Sequence, residues 1–141
     1  MEEFDKRLIE ALRENSRASV TELGRRLGAS RTTVQSRIER LERRGVILGY
    51  GLRLAAEHDH GAIRAHILIK LAPKAAPAVE AAIRRMPEVR VLHSVSGDYD
   101  MIALAGTPDV GAMDTVIDRI RALDGVERTT TSIVLSTKLD R

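Results

Sequence analysis

The 141-residue chain contains no cysteine and no tryptophan, and its aromatic residues are one phenylalanine and two tyrosines. The lack of cysteine excludes disulfide bonds, thiolate metal sites and cysteine nucleophiles. Because aromatic residues make up only 2% of the chain, a surface that stacks single-stranded bases on aromatic rings is not expected. The hydrophobic core must therefore be built from aliphatic side chains.

Long hydrophobic runs are also lacking. None approaches the roughly 18 apolar residues that a membrane-spanning helix needs. The charged N-terminus has no apolar segment of the kind found in secretory signals. We therefore expect a soluble, cytoplasmic protein. Hydrophobic residues at 43% and charged residues at 30% are typical of a globular chain that folds as one domain or two small ones.

Positive charge is concentrated in one part of the chain. Residues 17–53 contain nine arginines, three glutamates, no lysine and no aspartate, so this segment carries +6. The remaining residues carry −3, which gives the net charge of +3. A local basic excess of this kind favours contact with a phosphate backbone, although a merely solvated surface is the alternative.

Three helices are predicted near the N-terminus. Ser19 and Ser30 are typical helix N-caps, and Gly28 and Gly45 are typical residues for the end of a helix. The spacing of apolar residues predicts helices over 3–14, 20–27 and 31–44. Two short helices separated by a three-residue turn are characteristic of a DNA-binding helix-turn-helix, with a generic three-helix bundle as the alternative.

The third helix favours DNA binding over the generic bundle. Val34, Ile38 and Leu41 share its core side, while Arg37 lies at the core edge, where it could anchor the bundle or contact phosphate. The other positions of its first turns carry side chains that bond base edges and phosphates, whereas a solvated surface usually carries lysine and glutamate. The predicted DNA-binding residues are Arg31, Thr32, Thr33, Gln35, Ser36 and Arg40.

The segment that follows links two domains. Residues 46–54 are rich in β-favouring residues and predict a strand, and residues 55–61 are polar and predict a hinge. His58 and His60 have a spacing that two metal ligands could use, but no third ligand lies nearby in sequence, so we expect no metal. We place a helix-turn-helix domain at 1–48, the strand and hinge linker at 49–61 and a second domain at 62–141.

The second domain has the element order βαββαβ. The pattern predicts strands over 63–72, 89–96, 100–106 and 126–137, and helices over 77–86 and 109–123. A shift of 37 residues superposes Val79 on Val116 and Ile83 on Ile120. The predicted fold is therefore α+β: a three-helix domain joined by a strand to a ferredoxin-like domain, whose four antiparallel strands carry both helices on one face.

The second face of this sheet also contains apolar residues. Leu68, Val91 and Val134 cannot all point to the helices together with their neighbours. A second copy of the chain that packs against this face is the simplest cover. We therefore expect a homodimer.

The two halves of the βαββαβ domain meet at residues 96–100. Gly97 allows unusual backbone angles, and Asp98 and Asp100 flank the only aromatic residue of this domain, Tyr99. The two carboxylates could bind the ammonium group of an amino acid while backbone amides bind its carboxylate. A simple β-turn is the alternative.

With these residues placed, the chain resembles the Lrp/AsnC family of bacterial and archaeal transcription regulators over essentially its whole length. The first-domain motifs are Asp5-x-x-Leu8-Ile9-x-x-Leu12, Leu23-Gly24-x-x-Leu27-Gly28-x-Ser30 and Val34-x-x-Arg37-Ile38-x-x-Leu41-x-x-x-Gly45-Val46-Ile47. The second-domain motifs are Ser96-Gly97-Asp98-Tyr99-Asp100 and Gly125-Val126-x-x-Thr129-x-Thr131-x-Ile133-Val134-Leu135.

The resemblance implies a DNA-binding regulator, not an enzyme, without a cofactor. Its third helix would lie in the major groove, and its dimers would form through the C-terminal sheet and assemble into tetramers or octamers. An amino acid or related effector would bind between dimers and change DNA binding. Met101 stands where an aromatic residue is frequent in the family, which leaves the shape of the pocket open. The expected effector-binding residues are Ser96, Gly97, Asp98, Tyr99, Asp100 and Thr131.

Two other functions compete with this one. Sirohaem decarboxylases are similar to this family in both domains, and His93 and Arg90 could serve such chemistry. However, residues 100–105 lack the aromatic side chains expected there. An architectural protein that wraps DNA without base specificity is the second alternative, and the arginine-rich first domain is compatible with it.

Overall fold

The computed structural model describes residues 1–55, 58 and 63–140. The chain divides into two compact units, Met1–Arg53 and Leu54–Arg141. The predicted linker lies partly outside the described residues, and so does the His58–His60 pair, because Asp59 and His60 are not described. Among the described residues no helix is long and apolar enough to cross a membrane.

The first unit contains the three predicted helices: α1 (Glu3–Glu14), α2 (Val20–Leu27) and α3 (Arg31–Arg43). Both serine caps are confirmed. The Ser19 hydroxyl accepts the Glu22 amide at 3.1 Å, and the Ser30 hydroxyl accepts the Thr33 amide at 3.1 Å. Gly28 and Gly45 adopt positive φ angles of 70° and 65° after α2 and α3. The core consists mainly of Leu8, Ala11, Leu12, Leu23, Leu27, Val34 and Leu41.

The turn between α2 and α3 lies against Gly24. The Ala29 amide donates to the Gly24 carbonyl at 2.9 Å. A Cβ atom on Gly24 would lie 2.6 Å from the Ala29 carbonyl oxygen, which is closer than real Cβ contacts. Glycine at this position therefore allows the turn to lie close to α2, and this fixes where α3 begins.

The strand predicted at Val46–Leu54 is wrong. Residues 49–55 carry no regular secondary structure, although alternate residues of this segment are apolar and exposed: Leu48 is 93% exposed, Leu52 is 83% exposed, and Tyr50 lies between them. A β-strand requires a partner strand that bonds its amides and carbonyls. The abundance of β-favouring residues suggested a strand, but no described strand pairs with this segment.

The second unit confirms the βαββαβ order. Its elements are β1 (Ile63–Leu71), α4 (Ala76–Arg84), β2 (Val89–Ser94), β3 (Met101–Thr107), α5 (Val110–Arg121) and β4 (Val126–Ile133). The strands form one antiparallel sheet in the order β2-β3-β1-β4. Residues superposed by the 37-residue shift, Val79 with Val116 and Ile83 with Ile120, are all buried in one core, as the repeat predicted.

The sheet has one covered face and one open face. Ala65, Ile67 and Ile69 of β1 are buried in the core that the helices cover, whereas His66 and Leu68 alternate with them and lie on the open face. On β3 the buried positions Met101, Ala103 and Ala105 alternate in the same way with half-buried Ile102 and Leu104.

Candidate DNA-binding surface and effector site

The outer surface of α3 is polar and open. Arg31, Thr32, Thr33, Gln35 and Ser36 are all exposed, as the helical pattern predicted. A hollow of about 600 Å³ runs along this surface and is lined by Val20, Arg31, Thr32, Gln35, Ser36 and Glu39. Four of the six predicted DNA-binding residues therefore line one continuous depression.

Hydrogen bonds within the helix orient some of these side chains. The Gln35 amide nitrogen donates to a Glu39 carboxylate oxygen at 2.8 Å, and the Ser36 hydroxyl donates to the Thr33 carbonyl at 3.1 Å. The Thr33 hydroxyl lies 2.8 Å from the Ser30 hydroxyl and belongs to the cap of the helix. Gln35 thus keeps one side of its amide available, while Thr33 stabilises the start of α3.

The first turn of α3 is suited to an anion. The amides at a helix N-terminus point along the axis, and together with the helix dipole they favour negative charge. Arg31 and Thr32 are exposed in this turn, and no acidic side chain lies in it. A phosphate placed here would meet backbone amides, a hydroxyl and a guanidinium group.

Arg37 and Arg40 are held by carboxylates at the start of α1. Arg37 Nη1 lies 2.6 Å from Glu2 Oε2 and 3.3 Å from Asp5 Oδ1, and Arg40 Nη2 lies 2.8 Å from Asp5 Oδ2. The hydrogen bond from Arg37 lowers the pKa of the Glu2 carboxyl, and the same bond raises the pKa of Arg37. Arg37, for which anchoring and phosphate contact were both open, is therefore bound to α1 here. Arg40 differs from the other predicted contacts because its guanidinium already has acidic partners.

The turn at residues 96–100 is fixed by Asp100. Its carboxylate accepts the Leu71 amide at 2.8 Å and lies 3.8 Å from Lys70 Nζ. Its main chain also joins the turn to the sheet, since the Asp100 amide donates to the Ile69 carbonyl and its carbonyl accepts the Val95 amide. Gly97 adopts a φ of 107°, which confirms its expected permissive role. Both interpretations of residues 96–100, a simple β-turn and a site for an amino acid, are compatible with the structure, because the segment forms a turn and also borders a hollow.

Tyr99 points to the open face of the sheet. Its hydroxyl lies 2.6 Å from the Thr130 hydroxyl, and the Arg128 guanidinium lies over its ring at 5.2 Å from the centroid. Thr130 pairs with Leu68 on β1, whereas Thr131 pairs with buried Ile67 and so shares the helix-covered face. The structure therefore brings Thr130, not Thr131, to the turn.

A hollow of about 650 Å³ lies beside the turn on this open face. It is lined by Leu68, Ser94, Val95, Ser96, Asp98, Tyr99 and Ile102. Apolar side chains from β1 and β3 thus line the same hollow as the exposed carboxylate of Asp98 and two serine hydroxyls. A small molecule with an apolar part and a positively charged group matches this lining.

Sequence reasoning missed the parts of this site that come from distant strands. Leu68 and Ile102 are directly paired across β1 and β3, and Thr130 reaches Tyr99 from β4. The alternation along β1 and β3 could have indicated the first two. Among the described residues there is no group of three or more histidine, aspartate or glutamate side chains able to hold a metal ion.

Two family models match this chain, one in each of its units. The model of the AsnC-type helix-turn-helix domain matches residues 1–42, and that of the Lrp/AsnC ligand binding domain matches residues 64–141. The transcriptional regulator LrpA of Mycobacterium tuberculosis is 33% identical over 138 residues, which cover 97% of this chain and 91% of LrpA.

Solved structures of relatives have the same fold. AsnC of Escherichia coli superposes with a TM-score of 0.88 at 26% identity, over 100% of this chain and 96% of AsnC. The regulator NMB0573 of Neisseria meningitidis, solved in complex with L-Met, superposes with a TM-score of 0.89 at 26% identity, over 99% of this chain and 93% of that one. The named relatives are transcription regulators and not decarboxylases. The chain therefore belongs to the Lrp/AsnC family and is a DNA-binding helix-turn-helix transcription regulator with a ligand-binding domain.

Proposed function

We propose that this regulator is a homo-oligomer that reads specific DNA sequences with α3 and changes its assembly when an amino acid binds beside the turn at 96–100. The observation that carries the proposal is the outer surface of α3, where exposed groups able to bond bases replace the usual lysine and glutamate. Two α3 helices of a dimer would enter successive major grooves of a two-fold-related site.

The chemistry of α3 supports base readout. Gln35 presents an amide that can bond an adenine edge in two places once it exchanges its bond with Glu39. Thr32 and Ser36 border the same hollow, and Arg31 stands at the helix start, where phosphate is favoured. Thr33 would act mainly through the cap that it shares with Ser30.

The open-face hollow supports an amino-acid effector. Asp98 is exposed and would pair with an ammonium group, while Leu68 and Ile102 would contact an apolar side chain. Gly97 and its neighbours in the turn offer backbone amides to a carboxylate. The L-Met bound to the Neisseria regulator, a protein of the same fold, is an amino acid of this description.

Two exposed apolar regions support a homodimer. The segment with Leu48, Tyr50 and Leu52 exposes large apolar side chains at alternate positions, which is the pattern of a strand that pairs with another chain. The open face of the sheet exposes Val91 beside Leu104. Dimers could then join into tetramers or octamers, and an effector bound between them would shift that equilibrium.

The first test is a fluorescence-anisotropy titration with DNA from immediately upstream of the gene, with a scrambled duplex as the control. Both are measured at about 150 mM salt, because affinity for DNA depends steeply on ionic strength. Each is repeated with a mixture of free amino acids. We expect a preference for the upstream duplex that the mixture changes. Equal binding to both duplexes, with a steep salt dependence, would favour the architectural function instead.

The oligomer is tested by sedimentation at micromolar concentration with and without the same mixture. We expect a dimer or a multiple of it, and a shift in the distribution when the effector is present. A monomeric mass under both conditions would contradict the homo-oligomer.

A further inference from the structure

We propose that Glu2, which precedes α1, and Asp5 of α1 form an acidic brace that positions α3 through Arg37 and Arg40, so that Arg40 is a positioning residue and not a phosphate contact. The proposal concerns how the DNA-reading helix is oriented, and it reassigns a residue that the sequence pattern placed among the DNA contacts. Its basis is a set of paired charges confined to the first unit.

Asp5 is the centre of the brace. Its side chain is 1% exposed, and its two carboxylate oxygens are divided between two arginines: Oδ1 accepts from Arg37 and Oδ2 from Arg40. A buried carboxylate is unfavourable unless its charge is paired and its oxygens accept hydrogen bonds. Because both partners lie on α3, Asp5 is stabilised only when α3 has one particular rotation and distance relative to α1.

Glu2 completes the brace from the position before α1. It contacts Arg37 at 2.6 Å and Arg40 at 3.4 Å, so each arginine meets two carboxylates. Arg37 also lies over the Phe4 ring, at 5.9 Å from its centroid. Glu2, Phe4 and Asp5, all at the start of α1, therefore contact two arginines that lie one turn apart on α3.

The environment of Arg40 argues against a phosphate contact. Its Nε atom is buried and has no hydrogen-bond partner among the described residues, and its side chain is only 35% exposed. The guanidinium is thus turned toward α1. A phosphate would have to displace Asp5, and that would leave a buried carboxylate without one of its two cations, at a cost that is large for buried ion pairs.

The position of the brace along α3 explains why it would affect specificity. Arg37 and Arg40 lie one turn after Thr33 and Ser36 on the same continuous helix. The serine cap and the Gly24 contact fix the start of α3, and the brace fixes its middle. A small rotation of α3 would misalign Gln35 with a base edge while leaving general phosphate attraction unchanged, because base contacts are directional and charge attraction is not.

The test separates positioning from direct contact by salt dependence. Asp5→Asn, Arg40→Ala and the double variant are titrated against the upstream and scrambled duplexes at several salt concentrations. If Arg40 only positions α3, each single variant should weaken binding to the upstream duplex about tenfold, or about 1.4 kcal/mol. The double variant should be no weaker than the worse single variant, and all slopes of log affinity against log salt should stay the same.

A direct phosphate contact gives a different result. Arg40→Ala would then lower the salt slope by about 0.9 on both duplexes, and would do so again in the Asp5→Asn background. That outcome would overturn the proposal. The salt slopes on the scrambled duplex are informative even if the chain has no sequence preference, so the failure of specific readout and the failure of the brace are distinguishable.

Glu2→Gln and Glu3→Gln form a matched pair that does not depend on a buried site. Both residues are exposed, but Glu3 pairs with Lys6 on its own helix, whereas Glu2 pairs with α3. We expect Glu2→Gln to reduce the preference for the upstream duplex severalfold and Glu3→Gln to leave it unchanged. Equal preference in both variants and the parent would contradict the brace. Circular dichroism at the assay temperature establishes that each variant is folded.

Discussion

The two candidate sites are built in different ways. The DNA-binding surface lies on one helix, and its polar side chains follow one another along the outer side of α3. The effector site is assembled from the turn at 96–100 and from the strands of the sheet, which contribute Leu68, Ser94, Ile102 and Thr130. In the first site the local sequence decides which groups share a surface, whereas in the second site strand pairing decides it.

This difference has consequences for how each site can be damaged. A helix surface moves as a body, so a change that rotates α3 affects every contact at once. A site made from several strands depends on register, and a change at one position removes one group while the others stay in place. We therefore expect substitutions around α3 to have collective effects and those around the turn to have single-group effects.

The largest effect is expected for Gly24→Ala. The new Cβ would lie 2.6 Å from the Ala29 carbonyl oxygen, so the turn before α3 must move. We expect the free energy of unfolding to fall by about 2 kcal/mol despite the better helix propensity of alanine, together with a loss of DNA binding. Urea denaturation, followed on the unfolding transition of the first unit, measures the free energy of unfolding. Fluorescence anisotropy measures DNA binding.

Gly49→Ala is the matched control for that change. A Cβ atom there has no neighbour within 4 Å, and its φ is not positive. Its free energy of unfolding should stay within about 0.5 kcal/mol of the parent. If Gly24→Ala and Gly49→Ala behave alike, the close contact between the turn and α2 does not control the position of α3.

Gln35→Ala should have the next largest effect. If Gln35 reads one base edge, its loss should cost about 1–3 kcal/mol of binding free energy, and the cost should vanish for duplexes altered at that one base pair. Competition between single-base variants of the upstream duplex measures this. Glu10→Ala, an exposed change on α1, is the control and should not alter the ranking of the duplexes. A uniform loss across all duplexes would contradict base readout by Gln35.

A smaller effect is expected at Thr130. Thr130→Val removes the hydroxyl that lies 2.6 Å from the Tyr99 hydroxyl, and a hydrogen bond of this kind is worth about 1 kcal/mol. The amino-acid concentration that gives half the response should therefore rise about fivefold. Thr131→Val is the matched control, because Thr131 lies on the opposite face of β4 and should leave the response unchanged. The reverse order of effects would place the effector on the helix-covered face.

The same two threonines show what the sequence could and could not predict. Periodicity and capping residues identified the helices α1 to α5, the exposed side of α3 and the order of the strands, because these depend on neighbouring residues. Thr131 was expected from the resemblance to the family, whereas the face on which each threonine lies depends on the register of β4 against β1, because a shift of one residue moves a side chain to the other face. The strand predicted at 46–54 was wrong for a reason of the same kind, since β-favouring residues form a strand only where a partner strand pairs with them. Asp5 and its two arginines lie 32 and 35 residues apart, which no local pattern reports.

The smallest effect concerns pH and belongs to the brace. The bond from Arg37 lowers the pKa of Glu2 in the folded protein, so the unfolded chain binds a proton at a higher pH than the folded chain does. The stability that Glu2 contributes is therefore complete above the ordinary glutamate pKa of about 4.3 and is lost as the pH falls through the lower folded value. We expect thermal unfolding measured between about pH 5 and 3 to show a shallower loss of Tm for Glu2→Gln than for the parent, because glutamine cannot take up that proton. Glu3→Gln should follow the parent curve more closely, since Glu3 pairs with Lys6 at 3.6 Å on the exposed side of α1 and, among the described residues, with no side chain of α3. If the two variants lose Tm with the same slope, the ion pairs of Glu2 with α3 stabilise the protein no more than the exposed Glu3–Lys6 pair within α1. The brace would then consist of Asp5 and its two arginines alone.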